Sequence, residues 1–481
     1  MNTFASAVEL DSSPVVALTA NGMPTNAHSG SAMLDLFFVL GASRGQDISA
    51  KFAAALAADP VLAVKSLFWA RDVRGGAGER DTFRKLMQCL EAHNPGMVLQ
   101  VLPLIPVYGR WDDVHVFLTA EVRAAAVQLH ADALLAGNSL AAKWADRRGP
   151  VANALRRALR LDPKSYRKLI VGLTKVVETQ MCAREWSDIN YEQVPSVAAA
   201  RYQKAFNRRD ADRYAVYKAA ALNGDARINA GAVFPYDVLR SVKHGDSQAA
   251  LAQWNALPNL LGDNRILPMV DVSGSMATSV GGSNNNLTAL DVAVSLGLYI
   301  ADKQQGAFKD LWLTFSANST IKKLQGDLLA KMAQLENDHD WGMNTSLESA
   351  FREILRVAVM GEVAHSDMPE YLLVMSDMGF DACVEDGNAA PLEMARAMFE
   401  RHSYQLPKVI WWNIAHRSGG FGGDNNFPVT AHENGTALIS GFSPSIVKSV
   451  LSASTVTPLA VMLETLNSDR YQAVESALLN Q

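Results

Sequence analysis

The sequence predicts an α-helical repeat domain over residues 32–254 and, after it, a doubly wound α/β domain over residues 265–455. Three observations predict this fold class. Residues 48–179 contain one helical hydrophobic pattern after another, joined by Gly and Pro turns and without a period-two strand pattern. From Ile266 onward, short apolar runs alternate with amphipathic helical patterns, as in a parallel sheet covered by helices. The chain of 481 residues is also too long for a single hydrophobic core.

The helical domain is predicted from short helices that follow one another closely. Phe52, Leu56 and Ala57 form one apolar stripe, and Pro60 stands at the favoured first position of the next helix. Helices of roughly 8 to 17 residues linked by tight turns favour an α-solenoid of stacked pairs. The preceding residues 1–31 are small and polar, and we expect them to form a flexible arm.

The α/β domain is predicted from apolar runs bounded by turn residues. Its predicted strands are residues 266–271, 310–316, 371–377, 408–415 and 436–441, with a short edge strand at 319–324. Its predicted helices are residues 287–303, 327–336, 346–360, 391–402 and 443–451. The last segment, residues 456–481, is apolar on one side, and we expect a C-terminal helix that packs back onto the helical domain.

One strand of the predicted sheet ends in a cluster of oxygen-bearing side chains. Asp271 ends the apolar run that starts at Ile266, and Ser273 and Ser275 follow on either side of Gly274. Ligands bind past the carboxyl ends of strands in such sheets, and one carboxylate with two hydroxyls on a tight loop suits Mg²⁺ or Ca²⁺. The alternative is an ordinary turn, because Asp, Ser and Gly favour turns for conformational reasons alone.

Two further oxygen donors occur downstream at comparable places. Thr345 stands at the start of the predicted helix 346–360, and Asp377 ends the apolar run that begins at Tyr371. We therefore expect three loops to converge at one edge of the sheet. The alternative for Thr345 is that it only caps the helix that follows.

These five residues resemble the metal-ion-dependent adhesion site of von Willebrand factor A domains. Asp271, Ser273 and Ser275 match the first motif of that site, Thr345 matches the second and Asp377 the third. The resemblance implies a von Willebrand A-type fold with a bound divalent cation, which is Mg²⁺ or another such as Ca²⁺ or Mn²⁺. It also implies an acidic protein partner held through the metal.

The charge of the chain is divided unevenly. The net charge is -5, but residues 45–250 hold 29 Lys and Arg against 21 Asp and Glu, whereas the rest of the chain holds 15 against 28. Such asymmetry indicates a basic module with a polyanionic partner. A basic module can also simply dock on an acidic neighbour.

A glycine-rich loop with several arginines lies between two predicted helices. From Arg71 to Asp81 its sequence is Arg-Asp-Val-Arg-Gly-Gly-Ala-Gly-Glu-Arg-Asp. The glycines permit close approach of the backbone and the arginines can hold a phosphate, but the loop lacks the Lys-Ser/Thr ending of a P-loop. The alternative is an inter-helix turn whose Arg and Asp residues tie the helix ends together.

This loop, inside an all-helical region that precedes a von Willebrand A-like domain, resembles the Ro autoantigen (TROVE) family and its bacterial and phage relatives. The similarity covers the order of domains from about residue 35 to about residue 460. It implies HEAT-like repeats that close into a ring. It also implies that a basic hole in the ring binds small noncoding or misfolded RNA with a single-stranded end.

Most of the cations expected to contact RNA lie between residues 140 and 220. This stretch holds 17 Lys and Arg against 8 Asp and Glu, interleaved with Trp, Tyr and Phe, and cations with stacking rings are typical of single-strand binding. The expected RNA-binding residues are Arg71, Arg74, Arg80, Arg147, Arg148, Arg156, Arg160, Lys164, Arg167, Lys168, Arg208 and Arg209. The alternatives are solvated charged faces and rings that belong to the core.

The leading hypothesis is therefore a Ro-like RNA-binding protein whose A-like domain carries a metal site. The alternative is a protein-assembly scaffold without RNA, whose A-like domain binds a protein carboxylate through Mg²⁺. We expect no enzyme, because motif spacing assembles no nucleophile, base and orienting acid; a metal-dependent nuclease is a third candidate. Three distant cysteines, with neither a signal peptide nor a membrane span, predict a cytoplasmic protein.

Overall fold

The computed structural model describes residues 16–19, 21–280, 286–315, 318–337, 344–382, 390–416 and 426–479. The chain divides into two compact units, and neither is continuous in sequence. Unit 1 contains the residues up to Ala63, Phe234–Tyr236 and Asn259–Ser468, whereas unit 2 contains Val64–Val233, Asp237–Pro258 and the residues from Asp469 onward. None of the described helices combines the length and apolar character needed to cross a membrane.

Unit 1 begins with a two-stranded hairpin, β1 (Val16–Leu18) and β2 (Pro24–Asn26). Asn26 and Phe427 exchange backbone hydrogen bonds of 3.0 and 3.1 Å, and the Thr25 hydroxyl donates to the Phe427 carbonyl at 2.9 Å. The described part of the segment expected to be a flexible arm is therefore tied to unit 1 by hydrogen bonds across about 400 residues. Helices α1 (Ala32–Leu40) and α2 (Ser49–Ala58) follow.

Unit 2 consists of helices and short 3₁₀ turns in its described residues. The helices are α3 (Pro60–Arg71), α4 (Asp81–His93), α5 (Pro95–Val101), α6 (Ile105–Tyr108), α7 (Ala120–Leu135), α8 (Ser139–Trp144), α9 (Gly149–Ala158), α10 (Pro163–Leu173), α11 (Val177–Ala183), α12 (Ser196–Arg209), α13 (Ala211–Asn223), α14 (Pro235–His244) and α15 (Ser247–Asn255). The first residues of α3 and α14 belong to unit 1. Most helices contact near neighbours in the chain: α7 packs on α8 and α9, and α13 packs on α12 and α15.

The sheet of unit 1 has six strands in the order β5-β4-β3-β6-β7-β8. They are β3 (Ile266–Asp271), β4 (Leu311–Phe315), β5 (Thr320–Lys323), β6 (Tyr371–Ser376), β7 (Lys408–Asn413) and β8 (Thr436–Ser440). All neighbours are parallel except β4 and β5. The chain builds from β3 to one edge and then returns to β6, beside β3, so the direction of strand addition reverses there.

Six further helices lie in the described part of unit 1, and several of them contact the strands of the sheet. They are α16 (Ala289–Lys303), α17 (Leu328–Glu336), α18 (Leu347–Met360), α19 (Pro391–Arg401), α20 (Ser445–Leu451) and α21 (Pro458–Leu466). Helix α16 contacts β3, β4 and β6, and α18 contacts β4, β5 and α19. Every residue of β3 and β6 is buried, which explains why both strands are apolar along their whole length.

Helix α1 belongs to the α/β unit, although the predicted domain boundary placed it in the helical repeat. It packs on β8, and the Ser440 hydroxyl donates to the Phe37 carbonyl at 3.0 Å while accepting from the Gly41 N–H at 3.0 Å. A Cβ at Gly41 would lie 2.3 Å from the Ser440 carbonyl oxygen. Seven of the nine residues of α1 are buried. The apolar sequence of the helix predicts this burial, but it does not indicate which element covers the helix.

The end of the chain also differs from the single helix predicted over residues 456–481. Helix α21 stays in unit 1 and contacts β8, whereas α22 (Gln472–Leu479) belongs to unit 2 and contacts α5. Between them, Arg470 forms an ion pair with Asp72, and the Tyr108 hydroxyl donates to the Arg470 carbonyl at 2.5 Å. Only the residues from Asp469 onward pack with the helical unit.

Candidate functional site

The carboxyl ends of β3 and β6 bring several predicted site residues together. Asp271 is fully buried at the end of β3. The Ser273 N–H donates to one of its carboxylate oxygens at 2.9 Å, and the Ser376 hydroxyl donates to the other at 2.6 Å. Asp271 is thus fixed in position by its own loop and by the neighbouring strand.

The electrostatic environment of Asp271 is unfavourable for its charge. Burial, and after it the negative charge of Asp377, raises the pKa of its carboxyl group to about 7. Asp377, which follows β6, is therefore close enough for the two carboxylates to repel each other. Met378 comes next with a φ of 62°, in the left-handed region that costs a residue with a side chain about 1 to 2 kcal/mol.

The two serine hydroxyls of the first loop lie beside each other. Ser273 and Ser275 place their hydroxyl oxygens 3.0 Å apart, and Gly274 opens the 3₁₀ turn that brings them together. The loop therefore places the two hydroxyls beside each other, with Ser273 next to the Asp271 carboxylate.

Thr345 is joined to the loop that follows Asp377. Its N–H donates to the Asp381 carboxylate at 2.8 Å, and its carbonyl accepts from the Asp381 N–H at 3.0 Å. Ser346 provides the side-chain cap of α18 by accepting from the Ser349 N–H. The cap is thus supplied by Ser346, and the alternative role considered for Thr345 does not apply.

Sequence reasoning missed Ser376 and Asp381. Ser376 holds Asp271 and also accepts from the Met378 N–H at 3.0 Å, and Asp381 ties the Thr345 segment to the β6 loop. The only signal was their position next to Asp377 in a strand-end loop. Their partners lie 105 and 36 residues away in sequence, so they cannot be recognised without the strand register.

The donor set of this strand-end site fits a hard divalent cation. It offers carboxylate and hydroxyl oxygens, which suit Mg²⁺, Ca²⁺ or Mn²⁺. A cation between Asp271 and Asp377 would remove the repulsion that raises the pKa of Asp271. Within the described ranges, no group of three or more His, Cys, Asp or Glu gathers to hold a metal, so hydroxyl oxygens would have to complete the ligand set.

The arginines of the glycine-rich loop have different environments. Arg71 is only 6% exposed and forms an ion pair with Asp113 at 2.8 Å, so it acts as a structural tie and is not on the surface as expected of an RNA contact. Arg74 is exposed, and Arg80 is exposed beside Asp81. A Cβ at Gly76 would lie 1.9 Å from the Trp69 carbonyl oxygen, which accounts for one of the glycines.

Four of the predicted RNA-binding arginines line one cavity of about 270 Å³ in unit 2. They are Arg147, Arg148, Arg156 and Arg167, and Tyr166 and Asn153 also face the cavity. In the described part of the chain, no carboxylate lies within ion-pair distance of any of these four guanidinium groups. The other predicted cations of this region and of α12 are exposed and outside the cavity: Arg160, Lys164, Lys168, Arg208 and Arg209.

The aromatic residues expected to stack on bases mostly pack on one another. Tyr191, Phe206 and Tyr214 have ring centroids 5.0 to 5.3 Å apart and form part of one buried cluster. Arg110 lies 3.8 Å from the ring centroid of Trp144 and covers it. Tyr191, Phe206 and Tyr214 are core residues, as the alternative interpretation held, whereas Trp144 is half-buried under Arg110.

The fold and site define a protein with a helical unit rich in exposed cations and an α/β unit with a paired-carboxylate strand-end site. Residues 19–136 and 113–264, together just over half of the chain, match DUF2828, a domain of unknown function. The chain belongs to this family. Residues 266–476 match a second domain of unknown function, DUF7788.

Two individual proteins are similar to the chain. Uncharacterized protein L728 of Acanthamoeba polyphaga mimivirus is 25% identical, in an alignment that covers 94% of this chain and 87% of the viral protein. The crystal structure of the Ro (RSR) protein of Deinococcus radiodurans aligns with a TM-score of 0.46 and 13% identity, over 91% of this chain and 99% of that one.

Proposed function

We propose that this protein binds RNA through unit 2 and holds a divalent cation at the strand-end site of unit 1. The observation that carries the RNA proposal is the run of cations from Arg147 to Lys168. Six of its seven predicted RNA-binding residues are exposed, and Arg156 is half-buried. Among the described residues, none of the seven has an acidic partner within ion-pair distance.

This lack of partners contrasts with the treatment of arginine elsewhere in unit 2. Arg71 and Arg84 both bind Asp113, and Arg470 binds Asp72. These three arginines, which stabilise the fold, each form an ion pair with a carboxylate. The predicted RNA-binding residues from Arg147 to Lys168 form none among the described residues. Clustered cations without partners attract a polyanion, and neutralising its phosphates releases counterions.

RNA binding can be tested by fluorescence anisotropy with a labelled single-stranded RNA between roughly 50 and 200 mM salt. We expect the logarithm of the affinity to fall linearly with the logarithm of the salt concentration. The double variant Lys164→Ala/Lys168→Ala should bind RNA more weakly. The magnitude of its slope of log affinity against log salt should be smaller by about 1.4, since each lost phosphate contact on a single strand removes about 0.7.

The matched control is Lys448→Ala, which removes an exposed lysine of helix α20 in unit 1. Its affinity and slope should equal those of the wild-type protein. Retention of RNA that is no stronger than that of a neutral polymer at low salt, or an affinity independent of salt, would contradict RNA binding.

The proposed metal site consists of Asp271, Ser273, Ser275, Thr345 and Asp377. The support for it is the pair of mutually repelling carboxylates beside two hydroxyls. A cation there would neutralise the pair and could bind an acidic group of a partner at an open coordination position. Titration with Mn²⁺ should detect binding to the wild-type protein and to Asp263→Ala, an exposed control, but not to Asp271→Ala.

The same carboxylate pair favours a second candidate, a protein-assembly scaffold that binds a protein carboxylate through the metal. The two candidates separate in the Asp271→Ala variant. A variant that loses a protein partner and still binds RNA fits both roles in one protein. Loss of the partner in a protein whose wild-type form never binds RNA favours the scaffold.

A further inference from the structure

The four-arginine cavity is more specific than a charged surface. Arg147 and Arg148 precede α9, Arg156 lies on the last turn of α9, and Arg167 lies on α10, so two helices and the turn before them converge on one small space. An extended stripe of cations would be suited to binding the backbone of an extended RNA strand. Here the positive charge is concentrated on a cavity of about 270 Å³, slightly below the range of about 300 to 1,000 Å³ typical of pockets for whole small molecules.

Two of the four guanidinium groups make one contact each with a nearby oxygen, and all four still have donors to offer. Arg167 Nε donates to the Pro163 carbonyl at 3.3 Å, and Arg156 approaches the Asn153 side-chain oxygen at 3.5 Å. Each guanidinium carries five N–H donors, so these contacts orient the groups and leave most donors available. Planar groups of this kind bind phosphate oxygens in a bidentate manner.

The acids nearest to the cavity do not neutralise it. Asp162 caps α10 by accepting from the Lys164 and Ser165 N–H groups and from the Ser165 hydroxyl. Asp146 is close enough to contribute to the raised pKa of Tyr166, but it forms no ion pair with the four arginines. Even with Asp146 and Asp162 both counted, the four arginines leave an excess of about two positive charges at the cavity.

The start of α9 adds to this positive potential. The helix begins at Gly149 after Arg148, and no side chain accepts a hydrogen bond from its first turn. Ala152, in that turn, lines the cavity. A helix without a side-chain cap leaves the N–H groups of its first turn available and carries partial positive charge at this end. In α9 these N–H groups belong to Gly149, Val151 and Ala152, because Pro150 has none.

From this geometry we propose that the cavity binds a terminal phosphate of an RNA strand, a phosphomonoester, in preference to the phosphodiesters within the strand. A phosphomonoester carries about 1.5 to 2 negative charges and three acceptor oxygens, whereas a backbone phosphodiester carries about one charge. The monoester therefore matches both the charge and the number of donors better. This inference rests on the proposed RNA binding and names the part of the RNA that unit 2 selects.

The test compares short single-stranded RNAs of one sequence that carry a 5′-phosphate, a 3′-phosphate or hydroxyl groups at both ends. We expect one phosphorylated form to bind at least about tenfold more tightly than the hydroxyl form, which corresponds to about 1.4 kcal/mol. The form that gains affinity identifies which end enters the cavity.

The double variant Arg156→Ala/Arg167→Ala should bring the three RNAs to equal affinity, at the level of the hydroxyl form. The control Arg123→Ala/Arg157→Ala removes two exposed arginines, of α7 and α9, that do not line the cavity, and it should keep the preference for the phosphorylated end. Circular dichroism should show that both variants are folded. The variant Arg156→Lys/Arg167→Lys should keep only part of the preference, because lysine lacks the bidentate fork.

Three results would separate the two proposals. Salt-dependent binding with equal affinity for all three RNAs would overturn the terminal-phosphate inference and leave RNA binding intact. Binding of a nucleoside monophosphate, lost in Arg156→Ala/Arg167→Ala, without any binding of RNA would overturn the proposed function and leave a phosphomonoester site. Binding of neither would overturn both.

Discussion

His115 Nε2 lies 2.7 Å from His130 Nδ1 inside unit 2, and His130 Nε2 lies 2.9 Å from the Ala141 carbonyl oxygen. Because a carbonyl only accepts, His130 Nε2 carries a proton, and in a neutral ring its Nδ1 must then accept from His115 Nε2–H. The arrangement requires a neutral His130 ring, and burial together with the neighbouring His130 disfavours a charge on His115. Fifteen residues separate the two histidines, which hides the pair in the sequence.

This pair predicts that unit 2 loses stability in acid. Burial, and after it the neighbouring His130, lowers the pKa of His115 from 6.5 to about 4, and burial lowers the pKa of His130 as well. The folded state therefore binds fewer protons than the unfolded state below pH 6.5. The free energy of unfolding of unit 2 should keep this contribution above pH 6.5. It should fall by up to about 3 kcal/mol as the pH drops toward 4.

Chemical denaturation at several pH values checks this prediction. His115→Phe keeps a ring against His130, whose centroid lies 5.0 Å from that of His115, but this ring cannot titrate. The variant should show a smaller loss of stability between pH 6.5 and 4 than the wild-type protein. The same slope in both proteins would show that the histidine pair does not control the response.

Replacing Asp271 by Asn should have opposite effects with and without metal. Without a divalent cation, Asp271→Asn removes a buried charge that Asp377 repels, so it should stabilise unit 1 by about 1 to 3 kcal/mol at pH 8. Mg²⁺ should raise the melting temperature of the wild-type protein and leave that of the variant unchanged. Thermal unfolding with EDTA and with Mg²⁺ measures both effects, and an equal Mg²⁺ response in the two proteins would count against the site.

Gly41→Ala should destabilise unit 1. The added Cβ would lie 2.3 Å from the Ser440 carbonyl oxygen, so α1 would have to move away from β8, at a cost of about 1 to 3 kcal/mol. Gly172→Ala is the control, because it adds a methyl group to α10 where nothing lies within 4 Å. That change should be neutral or stabilise by up to about 1 kcal/mol. Denaturant midpoints compare the two variants, and equal midpoints would exclude a tight contact at Gly41.

Arg71→Ala should cost stability without weakening RNA binding. Loss of Arg71 leaves the fully buried Asp113 with Arg84 as its ion-pair partner, so part of its charge is uncompensated and the cost should be up to about 3 kcal/mol. Arg74→Ala, at an exposed position three residues later, should change stability by less than about 0.5 kcal/mol. Urea denaturation and RNA titration of both variants test the assignment. A stable Arg71→Ala protein with reduced RNA affinity would restore Arg71 as an RNA contact.

The sequence located the strands of the sheet well because their signal is local. The predicted run 266–271 coincides with β3, and the run predicted at 408–415 extends only two residues beyond β7. An apolar run that is flanked by turn residues shows in its own sequence where the strand begins and where it ends. Asp271, Ser273 and Ser275 could be grouped from the sequence alone for the same reason, because they are neighbours along the chain.

Features that depend on distant partners could not be predicted. Ser376 matters because register brings it to Asp271, and α1 belongs to the sheet because Ser440 holds it. Arg71 and Arg167 look alike in sequence, yet one has a buried carboxylate opposite and the other has none. Composition counts both as positive charges, and only the three-dimensional partner distinguishes a structural tie from a ligand contact.

The position of α1 constrains how the chain is made. The Phe37 carbonyl and the Ser440 hydroxyl that binds it are 403 residues apart. At a synthesis rate of about 5 to 20 residues per second, the apolar surface of α1 leaves the ribosome on the order of 20 to 80 s before β8 exists to cover it. During that interval α1 exposes its apolar face, so we expect the nascent chain to need a chaperone until β8 is made.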